Sequence, residues 1–159
     1  MDKTALLHAI LVQLEAELAL QTAAAHASHD EATDEDNRAE DKYDMRSQSA
    51  AYLAAGQSQL ATEIAGAIAA YRHLSPRAFA PGEAVAVGAV VTLEARGRET
   101  VWFLGPQHGG LEVTLRGVPI TVITAVSPVG RQLVGRRVGE RLQLPGRPKP
   151  VEHRVVAVG

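Results

Sequence analysis

Between His29 and Ser47 the chain reads HDEATDEDNRAEDKYDMRS, with eight carboxylates set against Arg38, Lys42 and Arg46. Carboxylate oxygens are hard ligands, and one or two of them can hold a magnesium ion that keeps several of its waters. The same run serves equally as a solvated loop or as a brake on association. A second group, Arg131, Arg136, Arg137 and Arg141, can form a basic patch for an acidic surface or a phosphate backbone, or simply a solvated face that guards a small sheet against edge pairing. His26 and His29 stand three apart and can share one helix face. A zinc site needs a third protein ligand and a second shell, so they read as ordinary exposed histidines. The absence of cysteine excludes thiol nucleophiles, disulfides and thiolate zinc sites. No glycine-rich phosphate loop, nucleophile elbow or Ser/His/Asp grouping rises above chance. Aromatics at 4% count against a base-stacking platform or an aromatic ligand pocket.

The elements that must position these groups follow from periodicity. Leu7, Leu11, Leu14, Leu18, Gln21 and Ala25 alternate steps of four and three, the spacing of a coiled-coil seam. A second seam runs Leu53, Gln57, Leu60, Ile64, Ala67, Tyr71 and Leu74. Both lie in proline-free stretches rich in Ala, Leu, Glu and Gln, with Gly56 and Gly66 weakening the second. Two narrow stripes joined by one polar connector predict an antiparallel helical hairpin over residues 1–75, with the acidic run at its tip, about 29–47. Tyr52 is expected to pack, whereas Tyr43 is open between packing on Met45 and contact with a base or a protein loop.

The segment SPRAFAPGEA, 75–84, carries two prolines and a glycine and marks a boundary. Residues 1–78 have a net charge of −6 and residues 79–159 one of +4, which suits two domains meeting different surroundings. Beyond the boundary, short Val/Thr/Ile/Leu runs separated by Gly or Pro predict five or six antiparallel strands over 80–159. One short helix interrupts them: Ser127 suits the N-cap, Pro128 the first helical position and Gly135 the stop. The fold class is therefore α+β. No run is apolar enough to span a membrane, and the start lacks the pattern of a secretory signal, so a cytoplasmic location with no membrane partner is expected.

The segment AVSPVGRQLVGRRVGERLQL, through Ser127, Pro128, Gly130, Leu133, Gly135 and Gly139, resembles the GreA/GreB family of bacterial transcript cleavage factors. AAYLAAGQ, 50–57, is similar to the tyrosine-containing start of that family's second helix, and the order of parts agrees along nearly the whole chain. The resemblance implies an FKBP-like C-terminal domain and bacterial RNA polymerase as partner, with indirect contact to nascent RNA. It implies a protein that is not itself an enzyme: tip carboxylates would bring magnesium to the polymerase's own two-metal site and stimulate cleavage of backtracked RNA. The polymerase-binding candidates are Ser127, Pro128, Arg131, Arg136 and Arg137.

The register departs from the family at the tip. The family's Glu and Asp, four and seven residues before the tyrosine, correspond from Tyr52 to Gln48 and Met45, and from Tyr43 to Ala39 and Asp36. Asp41 and Asp44 keep the three-residue spacing but lie four residues farther from Tyr52 than the family pattern requires. Asp36, Glu40, Asp41 and Asp44 are therefore the candidate catalytic and magnesium ligands. Three rivals stand beside cleavage stimulation: polymerase inhibition or modulation without cleavage, an FKBP-like chaperone or prolyl isomerase, against which the few aromatics Phe79, Trp102 and Phe103 count, and a plain coiled-coil interaction protein.

Overall fold

In a computed structural model, residues 1–33, 45–145 and 149–159 are described. Helix α1 runs Lys3–Thr33 and outlasts its apolar seam at both ends; α2 runs Met45–His73, starting well before its seam and ending just short of Leu74. The chain divides into two compact units, residues 12–68 and residues 1–11 with 69–159.

In the first unit, Leu14 and Ile64 are fully buried, while Val12, Leu20 and Leu53 are more than half exposed. The α1 seam holds where it can be read, with Leu14 buried and Leu18, Gln21 and Ala25 half-buried. On α2 the expected seam holds at Gln57, Ile64, Ala67 and Tyr71 and shifts by one residue only at its two leucines, Leu53 and Leu60. Ala54, Gln57, Ala61 and Ile64 are the shielded positions, and Leu53 and Leu60 face solvent at 55% and 36% exposure. Small Ala side chains occupy the inner line and the larger leucines flank it. Tyr52, expected to pack, is 76% exposed.

The second unit is a six-stranded sheet with one short helix and the first and last turns of the long helices. The strands are β1 Val90–Ala95, β2 Arg98–Gly105, β3 Glu112–Leu115, β4 Val118–Thr124, β5 Arg141–Leu144 and β6 Val151–Val158, in spatial order β3-β4-β2-β1-β6-β5. The sheet is mixed, because β2 and β4 pair in parallel, Val101 opposite Ile120, where an all-antiparallel sheet was expected. Short gaps along the chain make successive strands reverse direction, and they do. The 106–111 connection, however, carries β3 to the edge, and the hairpin return drops β4 between β3 and β2. Two-residue turns close both tight hairpins. Arg96–Gly97 and Arg116–Gly117 take positive φ at both positions, matching the right-handed twist of the strands they join.

Alternation along the strands sends Val91, Leu93, Leu104, Ile123, Leu142 and Val155 into one core, which Leu133 of helix α3, Pro128–Leu133, completes. Tyr71, at the end of α2, is buried; its hydroxyl donates to the Gln107 carbonyl at 3.0 Å. Burial holds its phenol above the usual range. Gly105 is required beneath it, since a Cβ there would lie 2.1 Å from the Tyr71 hydroxyl oxygen.

Candidate functional site

The short helix of the Ser-Pro-Val-Gly segment owes its geometry to a few bonds. Ser127 sits in the extended region, and its Oγ accepts from the Gly130 amide at 3.0 Å, so it is the N-cap that its sequence position predicts. The same hydroxyl donates to the Thr124 carbonyl at 2.8 Å, and the Ser127 amide donates to that carbonyl at 3.0 Å. Thr124, the last residue of β4, thus fixes where the helix starts. Pro128 follows at the first helical position, where its missing amide hydrogen costs nothing. Gly130 is buried against the same carbonyl: a Cβ at this position would approach Thr124 O to 1.9 Å.

The exit is held as firmly. Gly135 takes φ +82°, a left-handed conformation suited to glycine, and its amide donates to Val85 O at 2.9 Å while Val85 N donates to Arg136 O at 2.8 Å. This pair of bonds pins the end of α3 to the segment entering the sheet.

Around this frame the basic residues differ. Arg131 is exposed and makes no ion pair with a described residue. Arg136 donates to the Gln132 carbonyl at 3.2 Å and lies 3.5 Å from Glu140. Arg137 donates its guanidinium to the Gly82 carbonyl and its amide to Glu140 at 2.6 Å. Arg141 pairs with Glu152 across the β5–β6 ladder at 2.8 Å. Three of the four arginines therefore have partners, and Arg131 is the one with none among the described residues. Val126, Val134 and Val138, at 77%, 47% and 50% exposure, stand next to these residues in sequence.

The tip candidates Asp36, Glu40, Asp41 and Asp44, and Tyr43 with them, lie outside the described residues. Among the described residues no group of three or more His, Asp or Glu side chains could hold a metal ion, and His26 is exposed. Phe79 and Phe103 are buried in the sheet unit, and Trp102 is partly buried with its indole N–H on Thr100 Oγ1 at 3.0 Å. No helix among the described residues is long and apolar enough to cross a membrane.

Sequence reading missed Thr124 and Glu140 as partners of the α3 region. The i,i+4 spacing of Arg136 and Glu140 was the available signal for the second. It also missed a cluster of Lys3, Arg77 and Phe79, for which a separation of more than seventy residues leaves no signal.

No family model and no curated protein matches the chain. The solved structures to which it is similar include transcription factors of the Gfh1 and GreA/GreB type. GreA factor homolog 1 (Gfh1) of Thermus thermophilus aligns at 22% identity over 94% of each chain with a TM-score of 0.39. Gfh1 of Thermus aquaticus aligns at 23% over 92% of this chain and 91% of its own, TM-score 0.40. The transcription elongation factor GreA/GreB from Nitrosomonas europaea aligns at 23% over 65% of this chain and 78% of its own, TM-score 0.39. Similarity at this level sets these proteins beside the chain without deciding its function.

Proposed function

We propose that this chain is a GreA/GreB-type transcription factor. Its FKBP-like C-terminal part would dock on bacterial RNA polymerase through the α3 region, and its helical part would carry the acidic connector toward the polymerase active centre. The observation that carries the reading is the Ser127-Pro128-Val129-Gly130 segment, which is the strongest point of the family resemblance. Its residue types have a physical reason here: the serine caps, the proline opens the helix, and the glycine clears the Thr124 carbonyl. Arg131 on this helix, exposed and without an ion-pair partner among the described residues, offers a positive charge to an acidic partner surface.

The chemistry proposed for the tip is magnesium delivery. Asp36, Glu40, Asp41 or Asp44 would supply one or two oxygens, the ion would retain waters, and the polymerase would hold the other metal and the RNA. The ion would help form hydroxide or stabilise the leaving oxygen, and the chain itself would not be an enzyme. A second reading, occupation of the polymerase's secondary channel without cleavage, is favoured by Gln48 and Met45 standing where the family pattern from Tyr52 calls for acids.

The test is cleavage of backtracked RNA in stalled polymerase complexes, with Asp36→Asn, Glu40→Gln, Asp41→Asn and Asp44→Asn made singly in the full chain. Stimulation by the wild type, with sharp loss at one or two positions and unchanged polymerase binding, supports delivery. A shallow, uniform decline points to diffuse electrostatics. Binding without cleavage at any magnesium concentration selects the second reading, and absence of binding discards both.

A further inference from the structure

The turns of the sheet gather at one of its ends. Hairpin β1–β2 closes through Arg96–Gly97 and hairpin β3–β4 through Arg116–Gly117. Because β2 and β4 are parallel neighbours, Val101 opposite Ile120, both strands leave their turns side by side. Strand β6 runs against β1 with Arg154 level with Glu94, so it starts at the same end, and the β5–β6 connection that carries Lys149 opens there too. Helix α3 lies at the other end, since β4 runs from its turn to Thr124, where that helix is anchored. Cations collect on the rim so formed. Arg96, Arg98, Arg116 and Lys149 are exposed, and their side chains have no hydrogen-bond or ion-pair partner among the described residues. Arg141 pairs with Glu152 at 2.8 Å, and Arg154 lies 3.7 Å from Glu94, whose other oxygen accepts from the Gly97 amide at 2.8 Å. Glu99 is the remaining carboxylate, so these six cations stand against three acids. A polar cleft of about 160 Å³ is lined by Arg96, Arg141 and Arg154 together with Glu94, Glu152 and His153.

We propose that this rim binds the phosphodiester backbone of a nucleic-acid duplex without reading its sequence. Turn chemistry supplies an argument independent of the charge. Arg96 and Arg116 open the two tight turns at φ +52° and +51°, a left-handed conformation in which Asn, Asp and Gly are the favoured residues. Each hairpin therefore sets an arginine against local preference at the same position, and such a departure points to a use for the side chain. The layout suits a long polyanion: at the usual strand spacing of about 4.8 Å, the six strands spread the cations along a rim of about 24 Å. A duplex, with one charge per about 1.7 Å of its axis, is the densest regular target for such a row. A single strand is held largely by stacking on exposed rings, and here Phe79 and Phe103 are buried while Trp102 is partly buried with its N–H on Thr100. At the tips the exposed large apolar side chain is Val118, too little to enter a membrane or to anchor a protein partner. With α3 at the opposite end of the sheet, the rim is separate from the surface proposed for polymerase docking.

The full chain is titrated onto fluorescein-labelled 20-base-pair DNA duplexes of unrelated sequence, with anisotropy read at salt concentrations from about 50 to 200 mM. Four unpartnered cations that each displace a counterion give a slope of log K against log salt near about −3.6, a loss of affinity of about a hundredfold over that range. Arg96→Asn and Arg116→Asn remove a charge while suiting the turn better, so a weaker complex cannot be ascribed to a damaged fold. Each is expected to reduce the slope by about 1 and to weaken binding equally on every duplex. Lys3→Gln removes a charge beside Gly159, at the far end of the sheet, and should leave the slope unchanged. Absence of binding at the lowest salt, an unaltered slope in both Asn variants, or an equal fall in Lys3→Gln overturns the rim as the site. Equal or tighter binding of the single strand, or affinities that differ tenfold between duplexes, overturns the backbone-only duplex reading. Tighter binding to poly-glutamate or to vesicles of anionic lipid than to the duplex overturns the choice of nucleic acid.

Discussion

The helical unit and the sheet unit invest their residues differently. In residues 12–68 the buried side chains among the described residues are Leu14, Ile64, Ala67 and Ile68, and Val12, Leu20, Leu53 and Leu60 remain in solvent. In the sheet unit, side chains from β1, β2, β4, β5, β6 and α3 converge on one core, and backbone groups sit within bonding distance of α3 at both its ends. A narrow seam tolerates substitution along most of its length, because few side chains depend on any one position. A core with a carbonyl 1.9 Å from the nearest possible Cβ tolerates almost none. The region proposed for docking is thus built rigidly, and the helical unit beside the acidic connector is built permissively.

The strongest way to break this contrast is to remove matching leucines. Leu133→Ala, at a fully buried position, is expected to cost about 2–5 kcal/mol in urea unfolding. Leu60→Ala, at 36% exposure, should cost under about 1 kcal/mol, and similar losses at both sites would abolish the distinction.

Paired glycines sharpen it further. Gly130→Ala forces Thr124 or the helix to shift and should destabilise by about 1–3 kcal/mol. Gly56→Ala meets nothing within 4 Å inside α2 and should stabilise by about 0.5–1 kcal/mol. The two changes are chemically identical, so opposite signs in thermal melts would isolate the surroundings as the cause. Ser127→Ala removes the cap and should cost about 1 kcal/mol.

The smallest effect expected is on pH dependence. Because the Lys3 value in the folded chain, about 8, lies below that of an unfolded lysine, the unfolded state binds more protons between about pH 8 and 10. Its contribution to stability therefore rises with pH across that window. Tyr71 acts in the opposite sense: its folded value is raised, so stability is retained below the unfolded value of about 10 and lost above it. Melting curves of the wild type against Lys3→Met should diverge between pH 8 and 10, and parallel curves would remove Lys3 from the account.

The short helix was legible in the sequence because its signals are local. Ser127, Pro128 and Gly135 act within one or two turns, where hydrogen-bond geometry and allowed φ leave few options. The six strands were legible for the same reason, through β-branched runs and turn residues. The α2 seam was less so: a leucine line and an alanine line run side by side along Leu53, Ala54, Leu60 and Ala61, and hydrophobicity favoured the leucines where packing placed the alanines inside. The candidate carboxylates of the connector rest on composition and resemblance alone. What only tertiary structure decided are the long-range pairings: β4 parallel to β2, Tyr71 over Gly105, and Lys3 with Arg77 on Phe79. Local signals set where each element begins and ends, but which elements meet depends on contacts between residues far apart in the chain, whose free energy arises only when the whole unit closes around its core.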